Sequence, residues 1–174
     1  VVLENDATVS MGATILTHQL NKAYLEKTLS VPHTLNPDEA QNNGRKPVVE
    51  AVGEKKVLTD GTRTIELHHL QKFGHHDGML VVYLPKQKIL FMSEVFLNRV
   101  FPAMRSAYPT EWVGVIDKAL KLDVDRFVPG HGFIEEPKAS REELLEYQKA
   151  MRAVIAEVNR LHKLGLSADD AAKQ

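Results

Sequence analysis

The chain has 174 residues, enough for one buried core, with 22 Lys plus Arg against 23 Asp plus Glu and a formal net charge of −1. Charges that nearly cancel and are mixed along the chain supply no basic field for nucleic acid, and no apolar run reaches membrane-spanning length, so neither partner is expected. With no cysteine, disulfides and thiolate metal sites are excluded, and any metal must rest on histidine and carboxylate.

The first residue is Val1, and an N-terminal part is expected to be missing, together with any signal peptide it carried. The compartment, cytoplasmic or periplasmic and secreted, stays open for the same reason. Gly12 to Thr17 reads as a short buried strand and Asn21 to Lys27 as a short helix. Ser30 to Lys46 holds Pro32, Asn36-Pro37 and Asn42-Asn43-Gly44 with few apolar residues, which predicts an irregular surface connection.

After Pro47 the pattern turns to β. Val48-Val49 starts a strand, Lys56-Val57-Leu58 a second, and Asp60-Gly61 is the turn of a tight hairpin into Arg63 to Leu67. Met79 to Leu84 is almost continuously apolar and returns through Pro85 to Lys88 into Ile89 to Met92, so it is expected to be a central strand covered on both faces. From Pro109 the period becomes helical, with Trp112, Val113, Ile116 and Leu120 on one stripe and Thr110 as N-cap. Arg126-Phe127-Val128 is a last strand running into Pro129-Gly130-His131-Gly132. Ser140 to Glu143 reads as a capping box opening a long helix with Leu144, Tyr147, Met151, Val154, Ile155, Val158 and Leu161 on its apolar face. Gly165 stops that helix, and Ser167 to Asp170 restarts a short one. The fold class is therefore α/β, a β-rich sheet with covering helices, in one domain over 1–174 whose C-terminal helical segment is 139–174.

The hairpin from Met79 to Met92 returns the chain to the edge it left. His75, His76 and Asp77 before it and Glu94 after it are thus expected near one another, with His131 at another strand end beside two glycines. Imidazoles and carboxylate at one sheet edge suit zinc, iron or manganese, while the plainer reading of His75-His76 is a solvated polar turn. His18 is expected to end a strand, His68-His69 to continue one, and His33 and His162 to lie on the surface, none with a role in chemistry.

Four segments in order resemble the later half of a metallo-β-lactamase-fold hydrolase. They are Leu58-Thr59-Asp60-Gly61-Thr62, His75-x-Asp77-Gly78 with the apolar run to Lys86, Leu90-Phe91-x-x-Glu94-Val95-Phe96, and Val128-Pro129-Gly130-His131-Gly132. The resemblance implies a partial αβ/βα sandwich, the C-terminal half with its helices. It also implies one or two zinc ions, with His75 completing the first metal site, His131 the late histidine of the second, and Glu94 in the place of a bridging carboxylate. His76 and Asp77 would stand behind these ligands or in the pocket. The family pattern has aspartate where this chain has Glu94, and its Thr-His-x-His-x-Asp-His cluster has no counterpart in Val1 to Met11. The activity implied is hydrolysis of an ester, lactone, lactam or thioester of a small-molecule substrate through metal-bound water. The chain alone is expected to hold metal weakly or not at all and to be inactive, the alternative being a non-catalytic module that self-associates or binds a partner. An uncovered apolar sheet face further predicts a homodimer. Specificity is expected in Ser30 to Lys46 and in Leu97 to Tyr108, where Leu97, Phe101, Met104 and Tyr108 either line a pocket or pack.

Overall fold

The computed structural model describes residues 12–29, 46–71, 77–104 and 107–174. Strand β1 (Thr14–His18) leads directly into helix α1 (Gln19–Leu29), and β2 (Val48–Val52) pairs in parallel with β1. The connection expected over 30–46 lies, up to residue 45, outside the described residues.

A five-stranded sheet follows, in the order β3 (Lys55–Thr59), β4 (Thr64–His68), β5 (Val81–Leu84), β6 (Ile89–Phe91), β8 (Arg126–Val128). The β3–β4 hairpin turns at Asp60-Gly61 as the sequence predicts. The Asp60 carboxylate accepts the amides of Thr62 at 2.9 Å and Arg63 at 2.7 Å, and Gly61 takes φ +88. These two amides also hold the Asp60 carboxyl below its ordinary pKa. Strand β5 sits in the middle of the sheet, where its apolar run belongs.

Residues paired across strands share a face, so Val81, Tyr83, Leu90 and Phe127 point together into the core. Helix α2 (Pro109–Ala119) covers them with Trp112, Val113, Val115, Ile116 and Ala119, and helix α3 (Pro137–Lys163) adds Leu144 and Met151. Each such side chain withdrawn from water contributes roughly 1.5–3 kcal/mol. The indole of Trp112 donates to the Val95 carbonyl at 2.7 Å, so its one polar atom is satisfied inside the core. The opposite sheet face carries Val82, Leu84, Ile89, Phe91 and Val128, and Phe91 is 41 % exposed, so β5 and β6 are covered fully on one face only, not on both.

Several local expectations are corrected. Thr110 lies inside α2 behind Pro109, with Tyr108 at the N-cap position. Helix α3 starts at Pro137 after Glu136, so Ser140 does not cap it. Its buried hydroxyl instead donates to the Pro137 carbonyl and accepts the Phe127 amide at 3.1 Å, tying α3 to β8. Val158 is exposed rather than part of the buried stripe. The short helix expected over Ser167 to Asp170 forms as α4 (Ala168–Ala171), with Ser167 at its N-cap.

Candidate functional site

The best-defined part of the expected site lies where β6 and β8 end. Ser93–Val95 forms a 3-10 turn, with Ser93 at φ +50, and Leu97–Asn98 (β7) then pairs in parallel with His131–Gly132 (β9). The glycines flanking His131 are there for space. A Cβ on Gly130 would lie 2.4 Å from the Ser93 carbonyl oxygen, and one on Gly132 would lie 1.9 Å from that of Asn98. This close seating brings His131 Nε2 to 2.8 Å from Glu94 Oε1 across 37 residues of sequence. Glu94 is largely enclosed, whereas His131 is 61 % exposed and faces solvent.

Of the other expected residues, His75 and His76 lie outside the described residues. Asp77 accepts the Tyr108 hydroxyl at 2.5 Å, and its carbonyl faces His69 Nε2 at 2.9 Å. Among the loop residues, Leu97 and Phe101 line a cavity of about 300 Å³ against Tyr147 and Met151 of α3, while Met104 packs on the core. Burial, reinforced by the Glu94 carboxylate, pushes the Tyr147 phenol well above its ordinary pKa.

One cluster was not expected from the sequence. His18 does end β1, as read, and His69 lies one residue past the end of β4. The two imidazoles stack at 3.8 Å between centroids and 16° between planes. Glu54, in the turn between β2 and β3, brings Oε1 to 3.3 Å from His69 Nδ1 and 4.0 Å from His18 Nε2. His18 is 1 % exposed, and burial, then the neighbouring His69, lower its pKa against an opposing pull from Glu54. His68 turns the other way and meets Glu66 at 2.8 Å. His18 and His69, read from the sequence as residues without chemistry, thus form a stacked pair, one ring buried and the other half-buried, sharing one carboxylate. The signal available in the sequence was that Thr17-His18, Gly53-Glu54 and His68-His69 all fall at strand ends.

No family model and no curated protein matches the chain by sequence. Solved structures do match. A metallo-β-lactamase from Pontibacter korlensis superposes with a TM-score of 0.63 at 19 % identity, covering 84 % of this chain and 61 % of its own. The DIM-1 metallo-β-lactamase matches with a TM-score of 0.54 at 19 % identity, covering 81 % and 69 %. The stereoselective inverting sec-alkylsulfatase Pisa1 from Pseudomonas sp. matches with a TM-score of 0.64 at 16 % identity, covering 97 % of this chain and 32 % of its own. The chain therefore has the metallo-β-lactamase fold, and it spans about three fifths of the length of the first of these structures.

Proposed function

We propose that this chain carries the later half of the metal site of a metallo-hydrolase acting on an ester, lactone, lactam or thioester of a small-molecule substrate. The observation that carries the reading is the meeting of Glu94 and His131 at 2.8 Å on the margin of the sheet. An imidazole and a carboxylate form a donor set that zinc, iron or manganese accepts, and the exposed His131 ring can open the pair to admit an ion. In this reading His131 and Glu94 hold the cation together with His75, and the remaining ligands come from polypeptide outside these residues. The bound cation supplies Lewis acidity toward the scissile carbonyl or ester group. Asp77 accepts the Tyr108 hydroxyl at 2.5 Å.

The test is metal analysis and hydrolysis assays on the full-length gene product beside the 174-residue chain. The full-length product is expected to carry zinc and to hydrolyse at least one of the four substrate classes. The chain is expected to bind zinc weakly, more weakly still as Glu94→Gln, and to turn nothing over. A full-length product without metal and without any of these activities ends the proposal.

A second reading, a non-catalytic module, is favoured by Glu94 standing where the family pattern has aspartate, the longer side chain reaching His131 directly at 2.8 Å. Both readings carry the expectation of a homodimer through the half-covered face around Phe91. A well-folded monomer at micromolar concentration in light scattering would count decisively against that association.

A further inference from the structure

We propose that His18, Glu54 and His69 form a site for zinc or a similar borderline divalent cation, built from ligands separate from the Glu94–His131 pair. One ligand atom from each of His18, Glu54 and His69 lies within 4.8 Å of the other two. A tetrahedral zinc with bonds of about 2.0–2.1 Å needs its ligand atoms roughly 3.4 Å apart. The two carboxylate separations, 3.3 and 4.0 Å, bracket that value.

Hydrogen bonding gives the stronger argument. His69 Nε2 lies 2.9 Å from the Asp77 carbonyl oxygen, which can only accept, so Nε2 carries the proton. In the neutral ring this leaves a lone pair on Nδ1 aimed at a carboxylate oxygen 3.3 Å away. Two acceptors facing one another need a cation between them. A backbone carbonyl holding the far nitrogen of an imidazole is also the arrangement that orients metal-ligating histidines.

His18 supplies the independent observation. Its Nε2 is fully buried and has no hydrogen-bond partner, and it is aimed toward the same carboxylate. The rings stack 3.8 Å apart and 16° from parallel, so their in-plane lone pairs do not meet as they stand, and sharing one ion with Glu54 requires one imidazole to tilt out of the stack. Its opposite nitrogen, Nδ1, accepts the Leu20 amide at 3.4 Å, a long hydrogen bond that the metal-loaded form gives up when Nδ1 takes the proton. Glu54 stands mostly in solvent, which leaves the fourth position open to water or a ligand. Two histidines, one carboxylate and one open position make the donor set of a reactive rather than a purely structural zinc.

The competitor for the space is a proton on His69, held against Glu54. Titration of the chain with Co2+ and with Zn2+ at pH 7.5 decides between them, read by cobalt absorption in the visible and by proton release. In a Glu94→Gln, His131→Gln double variant, one cobalt equivalent with four-coordinate absorption is expected to remain. Glu54→Gln, at an exposed position that leaves the fold intact by circular dichroism, should weaken that equivalent roughly tenfold or more, as losing a charged ligand requires. The proposal is overturned if Glu54→Gln leaves uptake unchanged or if the double variant removes all uptake. It is equally overturned if no metal binds. Uptake that responds to Glu54→Gln but not to Glu94→Gln would count against the Glu94–His131 metal site and leave this one standing.

Discussion

Gly132→Ala tests whether His131 is seated as described. The added Cβ would lie 1.9 Å from the Asn98 carbonyl oxygen and 3.2 Å from its amide nitrogen, both backbone atoms that cannot rotate away. Gly132 also has φ +95, where a non-glycine residue carries on the order of 1–3 kcal/mol of strain. Relieving the clash means moving β9 by about an ångström, judged against the 3.0 Å below which real Cβ contacts essentially never fall. That displacement opens the β7–β9 pairing and the hydrogen bond that the buried Asn98 side chain donates from Nδ2 to the Phe133 carbonyl at 2.8 Å. Each bond lost adds roughly 0.5–1.5 kcal/mol. With two such bonds lost the total is about 2–6 kcal/mol, and a chain of this size loses roughly 2–4 °C of melting temperature per kcal/mol. Gly61→Ala is the matched control, because Gly61 has φ +88 with nothing within 4 Å of its Cβ position and so carries the torsional strain without the clash. Scanning calorimetry should find Gly132→Ala several degrees below Gly61→Ala. If the two variants melt together, β9 does not lie on Asn98 and the Glu94–His131 contact loses its support.

Ser140→Ala leaves the Phe127 amide buried without its acceptor and should cost about 1–3 kcal/mol in urea unfolding, with the m-value unchanged. Gly78→Ala would put a Cβ 2.8 Å from His18 Nδ1 and 2.9 Å from His18 Cβ, and should lower stability by about 1–3 kcal/mol by overpacking. Its melting temperature staying at the wild-type value would show that Gly78 does not rest on His18. Burial first, then the Glu94 carboxylate, raise the Tyr147 phenol in the folded state above its unfolded value of about 10. The folded chain therefore retains a proton that the unfolded chain loses, so this contribution is complete below pH ~10 and disappears as pH climbs toward the raised value. Alkaline denaturation should be less steep in Tyr147→Phe. Some slope should persist, because burial raises Tyr83 in the same direction.

Much of the fold could be read from periodicity, because the forces that select its strands act locally. The Asp60-Gly61 hairpin, the apolar β5 and the helical stripe of Trp112, Val113 and Ile116 each announce themselves within a few residues. Misreadings came where a polar side chain serves a distant partner. Ser140 has the spacing of a capping residue, but its hydroxyl is spent on Phe127 in a strand 13 residues away. Thr110 has the chemistry of an N-cap, yet Pro109 before it already starts the helix and leaves its hydroxyl to Glu111. The short β7–β9 pairing has no local signature, because two residues on each strand are too few to show a period.

The two candidate sites were legible to different degrees for a related reason. Glu94 and His131 each follow a strand that could be recognised, so the sheet order alone brought them together. His18, Glu54 and His69 converge only because β1 closes against β2 while the chain turns at Glu54 and comes back along β4. The partners of that closure are set by tertiary packing, which no spacing rule encodes. The short strap at Asp77-Gly78 ties the imidazole pair to Tyr108. Asp77 offers its carbonyl to His69 and its carboxylate to Tyr108, and Gly78 lies against His18. Any change that moves the imidazole pair must therefore move the backbone that immediately follows His75 and His76. Metal uptake at His18, Glu54 and His69 should accordingly respond to Tyr108→Phe, which removes the hydroxyl donated to Asp77 without touching a ligand of that cluster.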